Sequence, residues 1–345
     1  MKNKYKAALI VTGILAGPAM AEDKGVSFSH KSWEVACDNT LTCRAAGYDK
    51  EQWPEGAVVL TRLAGTDTPT TGEVRVDETA QPVKKLTMWL NGKSVGDLAA
   101  ARDRAWQLSP AQTAELIQAV KGKGKVEFRG GQTAFVVSNQ GATAVMVKAD
   151  DIQGRIDTPG AWGKTGNKPE SSVKEAIPAP VMQAAKVSHT QPRSLDKAEV
   201  AVLRPRLLAT LNDDMDCERM QFPDEPSVQG QVAKDEFMLI PLDEQHSLIS
   251  TLCWQAAYNQ GQAYWVIDKG LAGKPVMVTN RGTNYQQGVI SNYFLGNSMG
   301  NIATTEEWVW DGKAFHKSHL ALYRSVSTEG GWEMPEWVTE VKPAH

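Results

Sequence analysis

Gly296-Asn297-Ser298-Met299-Gly300 matches the pattern G-x-S-x-G. In a nucleophile elbow, that pattern lifts a serine hydroxyl on a strained turn between a strand and a helix. Asp311, His316 and His319 follow in Ser-Asp-His order. Such a set would attack an acyl group, with histidine as base and aspartate orienting the ring. The surroundings do not suit it. Residues 301–305 lead into another strand, 307–310, and the whole set is compressed into about twenty residues. A Gly-rich β-loop is expected, and a hydrolase using Ser298 is the least favoured reading. His316 and His319 would leave opposite faces of a strand and could not share a metal. His30, His189, His246 and His345 are scattered.

Other candidates are weaker. Gly163-Lys164-Thr165 has the end of a phosphate loop, but the required earlier glycine is Thr158. Asp213, Asp214, Asp216 and Glu218 surround Cys217 without the glycine pivot of a calcium loop. Asp150, Asp151 and Arg155 read as an ion pair at a strand end, since neighbouring strand residues point apart. No catalytic residue, metal site or cofactor is assigned. The aromatic residues carry more. Trp254, Trp265, Trp308, Trp310, Trp332 and Trp337 lie in the second half, with Tyr258, Tyr264, Tyr285 and Tyr293. Side-chain amides sit nearby, as in Asn259-Gln260 and Asn284-Tyr285-Gln286-Gln287. Aromatic faces and amides suit a neutral glycan, and Trp and Tyr also anchor protein interfaces. Trp254, Tyr258, Tyr264, Trp308 and Trp310 are the candidate binding residues. A packed β core is the preferred expectation for them, and a binding surface the alternative.

Lys2, Lys4 and Lys6 precede a short apolar run, and Ala19 and Ala21 fit an A-x-A cleavage site. Residues 1–21 therefore read as a cleaved export signal, and no cysteine follows to take a lipid. No later apolar run reaches the ~18 residues of a membrane-spanning helix. The four cysteines, Cys37, Cys43, Cys217 and Cys253, are an even number for an oxidising compartment. Local pairing is the simplest of the three connectivities, and the spacing is not that of a metal site. Residues 195–345 carry 12 basic and 20 acidic side chains, so this half would be repelled by nucleic acid and anionic lipid.

The elements that must position these residues are mostly strands. Residues 32–37 alternate, turn at Asp38-Asn39-Thr40 and return over 41–48, a hairpin closed by its own disulfide. Residues 57–63, 83–90, 125–129, 133–139 and 142–148 are further strand candidates. One helix follows Ser109, with Pro110 at its start, Gln112 completing a capping box and Gly122 as its stop. Ala114, Ile117 and Val120 form its expected inner face. Five prolines across 158–193 mark a mobile linker. A short helix over 195–203 should bend or end at Pro205. Strands are expected at 237–241, 247–257, 262–267, 276–280, 288–294 and 307–310, with Asp311-Gly312 as a two-residue hairpin turn.

Trp33-Glu34-Val35-Ala36-Cys37-Asp38-Asn39, with Cys43 and Gly47-Tyr48, resembles the opening of exported bacterial proteins called domain of unknown function 1176. Asp151-Ile152-Gln153-Gly154-Arg155 with Thr158-Pro159-Gly160-Ala161 is similar to its mid-chain motif. Cys253-Trp254-Gln255, Trp308-Val309-Trp310-Asp311-Gly312 and Gly331-Trp332 with Pro335 resemble its later motifs. The first half is also similar to the invasion-associated locus B proteins, which are exported and immunoglobulin-like. The resemblance implies a periplasmic, β-rich protein and no established activity. Relatives often carry two more cysteines near the end, where Ile302 and Tyr323 stand here.

The expectation is a mostly β chain with a minor α+β component: signal peptide 1–21, a first β-rich domain 22–157 that is immunoglobulin-like or a sandwich with one or two helices, linker 158–193, and a second β-rich domain 194–345. Its expected role is that of a non-catalytic periplasmic envelope protein that binds a ligand or partner, glycan or peptidoglycan being the first candidate. The alternative is a protein-interaction or inhibitor module acting on a secreted or envelope protein. Nucleic acid is not an expected partner, and the oligomeric state is not legible.

Overall fold

The computed structural model describes residues 25–51, 54–77, 83–101, 105–211, 217–222, 237–326 and 331–344. The expected export signal, Asp213, Asp214, Asp216 and His345 lie outside them.

The first half begins with β1 (Val26–His30), β2 (Trp33–Cys37), β3 (Cys43–Tyr48), β4 (Gly56–Arg62) and β5 (Thr71–Val76), an antiparallel meander. Then come β6 (Thr87–Leu90), β7 (Lys93–Asp97), β8 (Ala99–Ala100), β9 (Ala105–Gln107), α1 (Pro110–Lys121), β10 (Val126–Gly130), β11 (Thr133–Val136) and α2 (Ala142–Gln153). Among the described residues these strands form a sheet in the order β1-β2-β3-β4-β5-β9-β8 and another in the order β11-β10-β6-β7. Both sheets and both helices share one core containing Trp33, Leu60, Met88, Leu116, Phe128 and Met146.

The start of α1 is as its sequence dictates. Ser109 Oγ accepts from the Gln112 N–H, and Gln112 Oε1 accepts from the Ser109 N–H. Its buried face holds Thr113, Leu116, Ile117 and Val120, whereas Ala114 faces solvent. Residues 142–148 are a correction: they open α2 and are not a strand. The β-branched Val145 and Val147 favoured a strand, but Ala142, Val145, Met146, Ala149 and Gln153 are buried at helical spacing, and that periodicity wins.

The second half holds β12 (Val181–Gln183), β13 (Arg193–Ser194), α3 (Lys197–Leu208), α4 (Glu218–Gln221), β14 (Met238–Pro241), β15 (His246–Gln255), β16 (Gln260–Asp268) and β17 (Val276–Gly282). It continues with β18 (Asn284–Gln286), β19 (Val289–Leu295), β20 (Ile302–Trp310), β21 (Phe315–Ser325), β22 (Gly331–Val338) and β23 (Glu340–Lys342). Strands β13 to β17 form one sheet and β18 to β22 another. The two sheets enclose Leu248, Tyr264, Ile290, Trp308 and Trp310. The far side of the first packs against α3 and α4 through Leu203, Leu207, Met220 and Trp265. The mostly β expectation therefore holds.

Two local expectations change. Helix α3 runs through Pro205 to Leu208. The turn after Trp310 takes four residues: Trp310 pairs with Phe315, and Asp311 Oδ1 accepts from the N–H groups of Lys313 and Ala314, each at 2.8 Å. Gly312, at φ +97°, provides the left-handed step that a Cβ would oppose.

Residues 158–193 lie along both halves. Trp162 is buried, and its Nε1 donates to Thr70 Oγ1 at 2.7 Å. Strand β12 pairs in parallel with β23. The Ala185 N–H donates to the Trp310 carbonyl at 2.9 Å, and the Ser188 N–H to the Leu242 carbonyl at 2.7 Å. The disulfides are local, Cys37–Cys43 across β2 and β3 and Cys217–Cys253 between α4 and β15. Loop-closure entropy makes them worth about 2.4 and about 3.8 kcal/mol. Ile302 pairs with Arg324, while Tyr323 pairs with Ala303. Ile302 and Tyr323 are thus one residue out of register and leave opposite faces, so cysteines at these two places would not meet.

Candidate functional site

Alternation along β2 builds the site. Trp33, Val35 and Cys37 enter the core of the first half, so Glu34 and Ala36 leave the other face. That face is covered. Ala36, Ala46, Ala57 and Val59 pack against Leu322, Val326, Trp332 and Met334 of the second half. Glu34 meets Arg324 of β21 there: Nε donates to Oε1 and Nη2 to Oε2, both at 2.8 Å. The Tyr48 hydroxyl also donates to Glu34 Oε1. Further along the seam, Asn39 is fastened to the Val338 backbone in both directions, at 3.0 and 2.7 Å.

Burial, and then the Glu34 carboxylate, push the Tyr48 phenol well above its ordinary value. Burial opposes the charge on Arg324, but Glu34 offsets it and holds the guanidinium above its ordinary value. The pair is therefore a neutral, fixed unit.

Beside it the halves part and leave a cleft of about 580 Å³. One wall holds Lys31, Trp33, Tyr48 and Glu51; the other holds Asn297, Ser298 and Asn301 of the β19–β20 loop. That volume suits a small ligand. The Asn297 side chain fixes its own loop: Nδ2 donates to Asn301 Oδ1 at 2.8 Å, and Oδ1 accepts from the Gly300 N–H at 3.1 Å. Lys31 stands at φ +57° in the β1–β2 turn.

Ser298 therefore lines the cleft, but the partners expected for a triad are elsewhere. His316 Nε2 is 3.1 Å from Asp311 Oδ2, and His319 Nε2 is 3.0 Å from Glu333 Oε2. Among the described residues, the cleft lining contains no histidine. The loop joins two strands, so the strained strand-to-helix turn of an elbow is not formed. His246 pairs with Asp243 at 3.0 Å. Among the described residues no group of three or more His, Cys, Asp or Glu side chains is placed to hold a metal.

The aromatic candidates are not brought together as a ligand platform. Tyr264 is 2% exposed, Trp310 is fully buried and Trp308 is buried with them, so all three are core. Trp254 is half-buried, donates from Nε1 to the Asn280 carbonyl at 3.0 Å and meets Phe294 edge-on. Only Tyr258 of the five, 60% exposed, presents a free ring.

Asp150, Asp151 and Arg155 also need correction: Asp150 and Asp151 lie in the last turn of α2, and Arg155 follows its Gly154 cap. Asp150 is fully buried and accepts from Arg62 Nη2 at 2.7 Å, the Trp162 N–H at 2.9 Å and the Gly163 N–H at 2.7 Å. Arg62 lies 4.1 Å over the Trp162 ring and donates to Gln153 Oε1 at 2.7 Å. Burial lowers the Arg62 pKa to about 10 against the pull of Asp150. Asp151 stays exposed near Lys148. Arg155 donates to Thr68 Oγ1 at 2.8 Å and to the Gly65 carbonyl. This is a structural lock on residues 158–163. Gly163-Lys164-Thr165 belongs to it, with Lys164 pairing to Asp157 at 3.0 Å.

A second hollow, of about 440 Å³, lies on the solvent face of β19 to β22, where Tyr293, Thr305, Glu307, His319 and Glu333 gather. The Glu333 carboxylate, its main hydrogen-bond partner, raises the His319 pKa, and His319 in turn lowers that of Glu333.

The chain belongs to the family described as Protein of unknown function (DUF1176), whose sequence pattern matches residues 27–341. No curated protein and no solved structure matches it. Two disulfides fit an exported protein, and among the described residues no helix is long and apolar enough to cross a membrane.

Proposed function

We propose that this protein is a non-catalytic, periplasmic binding protein of the cell envelope that takes a polar ligand in the cleft between its halves, with peptidoglycan or another glycan as its source. The observation that supports this reading is the cleft itself. Both halves build it, its floor is the neutral Glu34–Arg324–Tyr48 unit, and one wall is the amide- and hydroxyl-bearing loop of Asn297, Ser298 and Asn301. Fixed dipoles and neutral hydrogen-bonding groups suit a polar, hydroxyl- or amide-rich ligand better than an apolar one. The division into domains 22–157 and 194–345, with 158–193 laid between them, belongs to the same proposal. Co-sedimentation with purified, protein-free sacculi tests it. The mature protein should pellet, and soluble fragments of the same material should release it. A protein left in the supernatant counts against the reading.

One observation favours the second reading, a protein-interaction or inhibitor module. Tyr293, Glu307 and Glu333 are exposed on one open sheet face, in the half with 20 acidic against 12 basic side chains. Binding of a basic protein there would weaken with salt.

A further inference from the structure

Resting on that reading, we infer that the cleft selects a ligand with separated opposite charges, a short peptide with a free carboxylate and a free ammonium group. Within the cleft Arg324 points Nε and Nη2 at Glu34 and Nη1 at the carbonyls of Tyr323 and Ala303. Glu34 is filled by Arg324 and Tyr48. The pair is neutral overall and offers a ligand no net charge. Two other charged groups line the same cavity, Lys31 and Glu51, and among the described residues neither has an ion-pair partner. One wall thus offers an ammonium and a carboxylate, and the opposite wall offers Asn297 and Ser298, which suit a peptide backbone.

The two charges stand at one end of the sheet. Lys31 is in the β1–β2 turn, and Glu51 follows β3 beyond the Trp33–Gly47 pair. A short peptide with both ends free can answer both charges, and a neutral sugar leaves both unanswered. The carboxylate goes to Lys31 and the ammonium to Glu51.

Calorimetric titration of the mature protein with tri-alanine, tri-alanine amide, N-acetyl-tri-alanine amide and N-acetylglucosamine tetramer tests this, with Lys31→Gln and Glu51→Gln as variants. Tri-alanine should bind, and capping both ends should weaken binding at least about tenfold. Each variant should weaken binding about threefold to tenfold. Lys31→Gln should also abolish the preference for a free over an amidated carboxyl end. Equal binding of capped and free peptide overturns the inference, as does failure of tri-alanine to bind, or sugar binding untouched by the variants. Sacculi that still pellet the protein in those cases leave the cell-envelope reading standing; loss of pelleting as well removes both. Competition of tri-alanine binding by a disaccharide-peptide, compared with the same peptide freed from its sugar, then separates the two sources. Stronger competition by the disaccharide-peptide assigns the ligand to the cell wall, and equal competition assigns it to free peptide; either keeps the charge pairing.

Discussion

Removing the Glu34 carboxylate should loosen the seam between the halves by a measurable and coupled amount. In Glu34→Ala, Arg324 loses two charge-assisted hydrogen bonds of 2.8 Å and Tyr48 loses its acceptor. Arg324 keeps only its bonds to the carbonyls of Tyr323, at 2.8 Å, and Ala303, at 3.4 Å. Breaking a buried pair from one side costs about 3–5 kcal/mol. Here the side chains retain 15% and 11% exposure and border a cleft, so the low end, about 3 kcal/mol, is expected. The single loss overstates the pair, because an unpaired buried cation remains. A double-mutant cycle with Arg324→Ala should therefore return a coupling of about 2 kcal/mol. Urea unfolding followed by circular dichroism provides the four free energies. A coupling below about 0.5 kcal/mol would refute the reasoning, since it would make the pair a solvated surface contact.

Three further outcomes follow from particular contacts. Asp150→Ala leaves Arg62 and two N–H groups buried without their acceptor and should cost about 3–5 kcal/mol, while Asp150→Leu with Arg62→Met should recover most of it in the same unfolding assay. The raised pKa of His319 contributes stability that is complete below its unfolded value of about 6.5 and fades as pH rises through the folded value; the lowered pKa of Glu333 contributes above its unfolded value and is lost in acid. The urea midpoint should therefore drift down above neutrality, and His319→Gln should flatten that drift. A Cβ on Gly47 would lie 2.3 Å from the Trp33 ring, so Gly47→Ala should cost about 1–3 kcal/mol and change Trp33 emission, and an unchanged midpoint would contradict the packing.

The hairpin of β2 and β3 was legible because period-two alternation, a turn and two cysteines agree over 33–48. Helix α1 was legible from its capping box and proline. The same alternation already placed Glu34 on the outer face, but nothing local says that the outer face is covered. Its partner, Arg324, is 290 positions away in β21. Long-range pairing of this kind leaves no mark in either segment alone. Helix α2 is hard to read locally because Val145 and Val147 have strand propensity while its buried residues follow helical spacing. The aromatic cluster reads as core first and surface second for a related reason: Trp308 and Trp310 share one strand face, and Ile290 and Leu248, packed against them, decide it. Ser298 was noticed for a motif it does not fulfil, yet its loop does line the cleft.

The most direct test of the cleft is to fill it. Ser298 is exposed on the β19–β20 loop, so Ser298→Trp adds bulk to one wall without disturbing either core. Sedimentation of wild type and Ser298→Trp with protein-free sacculi, alongside their circular dichroism and thermal midpoints, provides the comparison. The variant should keep its fold and midpoint and stay in the supernatant while wild type pellets. A folded Ser298→Trp protein that pellets as wild type does would place binding outside the cleft and contradict the account.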